Sequence, residues 1–178
     1  MAKQYIPIEC QASIAWFKLS ELVMRGERER AFSIYRLLAH ALEDEAYSAQ
    51  LKGDLWYAFN EYDRAREAYY IAITGYDFSE RFSQSAFLHE RLIAIEPQSL
   101  TLRIAIITRF AELASLKKVT SYMLELLSLA QEQNQREACI SSLEDASCSP
   151  AAHIIIKNAL YSLRHAPMPA HQEAHLML

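Results

Sequence analysis

The chain has 178 residues, 52% of them apolar, and a formal net charge of −4. Three glycines and five prolines are too few for a collagen-like or disordered chain, and too few for the many tight turns of an all-β fold. Eighteen Lys and Arg against 22 Asp and Glu leave no broad basic field, so no nucleic-acid partner is expected.

Cys10, Cys139 and Cys148 form an odd set without a CxxC pair. They read as free thiols of a reducing compartment, which makes a cytoplasmic location the expectation. The opening MAKQYIPIEC has no apolar run of signal-peptide length. The most hydrophobic stretch, 100–116, is interrupted by Arg103, Arg109 and Glu112. A span needs about 20 nearly uncharged residues, so no membrane partner is expected.

Taken in chain order, apolar residues recur at helical spacing. Ala15, Leu19, Leu22 and Val23 mark a first helix that stops at Arg25-Gly26, where glycine suits a helix end. Ala31, Ile34, Tyr35 and Leu38 mark a second. Leu51, Leu55, Trp56 and Phe59 mark a third, ending at Asn60, which tolerates a left-handed turn. Ala65, Ala68, Tyr69 and Ala72 mark a fourth, expected to end near Gly75. One helix fits between Gly75 and Pro97, about 79–95. It is either an inserted half-repeat, or the partner of a fourth helix that also opens the next unit. After Pro97 come Leu102, Ile106, Phe110 and Leu113, then Val119, Met123, Leu126, Leu127 and Ala130. Two more helices are predicted over 136–145 and 151–163, with Cys139, Leu143, Ile155 and Leu160 facing inward. The total is eight or nine helices. Residues 166–178 read as a flexible tail after one helical domain over 1–165.

The chain also matches itself at a shift of 34. Over 12–38 against 46–72, seven positions are identical, including Ala31/Ala65, Arg30/Arg64 and Tyr35/Tyr69. Chance would give roughly two at average amino-acid usage. A 34-residue period suits a pair of helices of about 14 residues each.

With Gly53, Trp56, Ala65, Tyr69 and Ala72 in place, residues 53–70 and their surroundings resemble a tetratricopeptide repeat. The resemblance asks for a small residue, then an aromatic in the first helix, then small, aromatic and small in the second. All five are present. The unit at 12–43 is weaker, with Leu19 and Leu38 at two small positions, and Leu92-Ile93-Ala94-Ile95-Glu96-Pro97 resembles the close of such a repeat. The resemblance implies an all-α solenoid of helix–turn–helix repeats. Stacked pairs bury each other's apolar faces and leave a concave surface for another polypeptide. It places Ser13, Trp16, Ser20, Val23 and Met24 on the groove side of the first unit, and Tyr47, Gln50, Asp54, Tyr57 and Ala58 on that of the second. Trp16, Ser20, Val23, Tyr47, Gln50, Asp54 and Tyr57 are the candidate partner-binding residues, with Trp and Tyr as anchors. Trp56 and Tyr69 fall at interlocking positions and are expected in the core. The Lys and Asn that clamp a chaperone's C-terminal carboxylate in some members are replaced by Trp16, Ser20, Gln50 and Asp54.

No phosphate loop, HExxH or GxSxG occurs, so neither a catalytic residue nor a cofactor is expected. His165, His171 and His175 have a spacing that could present imidazoles together, with Cys148 and His153 nearby, but they read as tail residues rather than a metal site. His40 and His89 read as partly buried helix residues. Glu43, Asp44 and Glu45 stand where carboxylates favour an incoming helix N-terminus. Lys18, Arg25, Arg28 and Arg30 interleave with Glu21, Glu27 and Glu29 as a solvated, ion-paired face. The expected function is a non-enzymatic module that binds a partner peptide or helix in its groove. The alternatives are a dedicated secretion chaperone, or a scaffold that self-associates, as a homodimer, through the apolar run at 153–160.

Overall fold

The structure is a computed structural model that describes residues 8–146 and 148–165, with side chains described from Ile14 to Leu163. The expected all-α fold is what forms. Nine helices are made by the described residues: α1 Ile8–Met24, α2 Arg28–Ala41, α3 Glu45–Ala58, α4 Tyr62–Phe78, α5 Phe82–Ile95, α6 Leu100–Glu112, α7 Leu116–Glu132, α8 Arg136–Glu144 and α9 Pro150–His165. No strand forms among these residues. The proposed tail and its His171 and His175, together with the side chains of Cys10, Ser13 and His165, lie outside what the structure describes.

Two kinds of connection join the helices, and their order is regular. In the first kind the chain turns through one left-handed residue: Gly26, Asn60, Glu80, Ala114 and Asn134, with φ between 51° and 71°. Each turn closes with two backbone bonds. The residue after the left-handed one donates to a carbonyl five residues back, as Glu27 to Leu22 at 2.9 Å and Glu61 to Trp56 at 2.9 Å. The left-handed residue itself donates three residues back, as Asn60 to Tyr57 at 3.0 Å. This pairing satisfies carbonyls that a helix end otherwise leaves open. In the second kind a short polar side chain caps the next helix. Asp44 accepts from Tyr47 N, Ser99 Oγ from Leu102 N, and Ser149 Oγ from Ala152 N.

The order of connections reveals a longer period. α1, α4 and α7 are each 17 residues long and start at 8, 62 and 116; α2, α5 and α8 start at 28, 82 and 136. The register is therefore 54 residues, or three helices, and it carries through to burial. Leu22, Tyr76 and Ala130 are all buried, as are Leu19, Ile73 and Leu127, and Ala31, Ser85 and Cys139. The fourth helix does not stop at Gly75 but runs to Phe78, because Gly75 sits inside a helix contact: a Cβ there would come 2.7 Å from that of Ala46. The turn after it is of the kind that joins α1 to α2 and α3 to α4. So α4 ends one pair and opens the next.

The described helices form two compact units, divided between Ile95 and Glu96 within the span read as one domain. In the first unit α1 packs on α2, α2 on α3, α3 on α4 and α4 on α5. Leu19, Leu22, Ala31, Leu38 and Leu55 form one core cluster there. In the second unit α9 folds back onto α6 and α7, and α8 touches all three. Met123, Leu126, Leu143 and Ile156 are fully buried among them. Cys139, Leu143 and Leu160 are buried as expected, and Ile155 packs half-buried against the same cluster. Glu112 ties the end of α6 to the start of α9, accepting from Ser149 N and Ser149 Oγ at 2.7 Å each.

Candidate functional site

α3 is the helix on which the site is built. At 3.6 residues per turn, Tyr47, Gln50, Asp54 and Tyr57 fall within a stripe roughly 80° wide. Gly53 lets α4 approach that stripe: a Cβ there would stand 2.5 Å from the ring of Tyr69. The ring of Tyr69 is fully buried, yet its hydroxyl reaches Asp54 and donates at 2.7 Å. Two helical turns on, the Tyr76 hydroxyl donates to Gln50 at 2.6 Å. Burial, reinforced by the Asp54 hydrogen bond, holds the Tyr69 hydroxyl far above its ordinary range. Burial, followed by the charge of Asp44, pushes that of Tyr76 up to about 12. Both hydroxyls therefore stay protonated and keep donating.

Each end of the polar row is aromatic. At the α3 N-terminus, Tyr47 is 37% exposed and lies 6.2 Å from the half-buried Trp16 ring. Asp44 there receives two bonds from Arg81, at 2.5 and 3.0 Å, and Arg81 also lies over the Tyr76 ring. The Arg81 hydrogen bond, helped by the backbone N–H of Tyr47, lowers the Asp44 carboxyl to about 2. At the other end, Tyr57 meets Tyr62 edge-on at 5.5 Å, and the Arg91 guanidinium of α5 lies over both Tyr57 and Phe87.

The seven sequence candidates are thus brought together unevenly. Trp16 meets Tyr47 directly, while Gln50, Asp54 and Tyr57 continue the same stripe of α3, each held by its own contact from α4 or α5. Ser20 is exposed and donates to the Trp16 carbonyl at 3.2 Å, while Val23 packs half-buried against the α1–α2 core. Sequence reasoning missed Arg81 and Arg91, which arrive from α5 and the turn before it. It also missed the reach of Tyr69 and Tyr76 past the core. The signal for the latter was present: tyrosine rather than phenylalanine, seven residues apart, opposite Gln50 and Asp54 four apart.

Trp56 departs from its expected core place. It is half-buried on the opposite side of α3 from Tyr47, with the Phe32 ring 4.0 Å away and Arg64 and Arg28 over its face at 4.7 and 5.5 Å. Helices α2 and α4 flank it without closing over it. Two clefts, of about 340 and 260 Å³, open on either side and share Lys52 and Trp56.

The remaining polar groups have local duties. Lys18 and Arg25 pair with Glu21, Arg30 with Glu27, and Arg28 with Glu61, as the mixed charges of this face suggested. His89 is buried with Nδ1 2.8 Å from the Ser85 carbonyl, whereas His40 is exposed. Among the described residues no three His, Cys, Asp or Glu side chains gather as metal ligands, and no helix is long and apolar enough to cross a membrane. Of the apolar run 153–160, Ile156, Ala159 and Leu160 belong to the core of the second unit, and Ile154 is exposed.

No family model, curated protein or solved structure matches the chain.

Proposed function

We propose that the protein is a non-enzymatic binding module of tetratricopeptide type, acting in the cytoplasm, that holds a partner peptide or helix along the Tyr47–Tyr57 side of α3. The observation that carries this reading is the row itself. Two aromatic clusters, Trp16 with Tyr47 and Tyr57 with Phe87 under Arg91, flank a floor of Gln50 and Asp54 that two tyrosine hydroxyls already fix. Ten residues of helix separate Tyr47 from Tyr57, about 15 Å, which an extended segment of four or five residues spans. Rigid aromatic anchors with partly satisfied polar groups between them suit peptide capture, since little side-chain freedom is lost on binding. The cytoplasmic assignment draws on the free thiols Cys139 and Cys148.

A display library of random 12-residue peptides, selected on the full chain, tests the reading. Selected peptides are expected to share apolar or aromatic side chains and to bind Tyr47→Ala and Tyr57→Ala variants at least about tenfold more weakly, as loss of interface anchors does. Selection of no peptide, or equal binding to both variants, would overturn it. The self-associating alternative draws on Ile154 and Tyr161, both exposed on α9. Light scattering that finds a dimer dissociated by Ile154→Glu would favour that alternative.

A further inference from the structure

The face around Trp56 lies away from the row just described and has no part in that reading. On α3, Lys52 and Trp56 are turned roughly 140° and 180° from Tyr47 at the helical pitch. The walls here are fixed. The Phe32 ring lies 4.0 Å from that of Trp56 at a tilt of 38°, and the Tyr35 hydroxyl is anchored 3.2 Å from the Ser48 carbonyl. The larger cleft, about 340 Å³, falls within the range of sites that accept small ligands or single side chains, about 300–1,000 Å³. Its exposed lining is mainly apolar, while its rim is charged.

That charge runs against the rest of the molecule. The chain carries a net −4, yet the two clefts are lined by four cations and two carboxylates. Arg28 is occupied by Glu61 at 2.7 Å. Among the described residues no carboxylate lies within ion-pair distance of Arg36, Lys52 or Arg64. Arg36 bonds only the Phe32 carbonyl, and Arg64 rests on the Trp56 ring. Three cations thus surround a partly open aromatic floor and leave their charge available to a partner.

We propose that the Trp56 face is a second binding site, which takes an acidic peptide segment. One apolar side chain of the segment enters the cleft beside Trp56, and its flanking carboxylates meet Arg36, Lys52 and Arg64. A peptide can space its carboxylates to suit three separate cations. A nucleic-acid strand carries unbroken phosphate charge and would meet Glu29 and Glu67 on the same rims.

The chain has two tryptophans, so a Trp16→Phe protein leaves Trp56 as the sole reporter. That protein is titrated with a decapeptide of Asp and Glu around one central Phe, with the same peptide carrying Lys in place of the acids, and with a ten-nucleotide oligothymidine. The acidic peptide is expected to shift and quench Trp56 emission saturably, and to bind roughly tenfold more weakly when NaCl rises from 50 to 500 mM. The Lys peptide is expected to leave the emission unchanged. Lys52→Glu/Arg64→Glu, whose circular dichroism is expected to match the parent, should weaken the acidic peptide at least about tenfold. Tyr57→Ala should not weaken it, which separates this site from the α3 row. An unchanged emission, a salt-independent affinity, or equal binding of the two peptides would overturn the proposal. Tighter binding of the oligonucleotide would overturn it in favour of a nucleic-acid surface. Should the charge-reversal variant fold poorly, the salt series on the Trp16→Phe protein and the Lys peptide still decide the matter.

Discussion

Ala114 and Glu80 hold the left-handed conformation at φ 51° and 55°, where a side chain crowds its own carbonyl. Gly26 holds the equivalent place without that penalty. Ala114→Gly is therefore expected to stabilise the protein by about 1 kcal/mol, read as a raised urea midpoint with an unchanged slope. Asp44 gives the acid counterpart. Its carboxyl sits at about 2 in the folded chain against 3.8 in an exposed one, because Arg81 holds the charged form. A lowered carboxyl pKa adds stability that is complete above the unfolded value and is lost as pH falls through the folded one. Unfolding free energy is thus expected to drop between about pH 4 and pH 2 more steeply in the wild type than in Asp44→Asn. Parallel curves for the two proteins would remove the Arg81 pair as a cause.

At the scale of elements, the recurring features are connections rather than residues. A shift of 34 aligns the turn at Gly26 with that at Asn60, and the sequence repeats there because Ala31/Ala65 and Tyr35/Tyr69 repeat with it. The 54-residue register has almost no such trace. Between 8–61 and 62–115 the sole identity is Leu38 with Leu92. What persists is physical: a left-handed turn, a capped loop, a buried position. Arg64 over Trp56 returns as Lys118 over Phe110, different residues making the same contact at the same spacing. The capped loops carry weight because they start helices. Ser149→Ala deletes both the cap of α9 and the Glu112 hydroxyl bond, and is expected to cost about 1–2 kcal/mol. Glu112→Gln, which keeps an acceptor for Ser149, should cost less. Chemical denaturation of both variants measures the difference.

For the whole molecule, the division between Ile95 and Glu96 gives each unit its own core cluster. A fragment beginning at Glu96 is expected to fold alone, with helical circular dichroism and one cooperative thermal transition, since units with separate cores are able to do so. A fragment with a sloping, non-cooperative melt would show that its core needs the first unit. The two binding proposals both sit in the first unit, on opposite sides of α3, so the fragment is expected to bind neither a selected peptide nor the acidic decapeptide.

Helix content, most helix boundaries and the placement of Gly26 and Asn60 were legible in the chain because they follow from local rules: apolar spacing near 3.6, caps, and the few residues that tolerate positive φ. The end of α4 was not. Gly75 looks like a stop to any local rule, and it serves instead to admit Ala46 of another helix. The candidate row was half legible for the same reason. A helix's own pitch put Tyr47, Gln50, Asp54 and Tyr57 on one stripe, but nothing local says that Tyr69 and Tyr76 reach across to two of them or that Arg91 covers the last. Trp56 shows the reverse error, a large aromatic read as core from its position in a repeat. By itself the sequence determined that the chain is a series of short amphipathic helices with defined turns. Only the tertiary structure decided which sides of those helices stay open, because burial depends on partners far along the chain, and their distance and angle are set by packing.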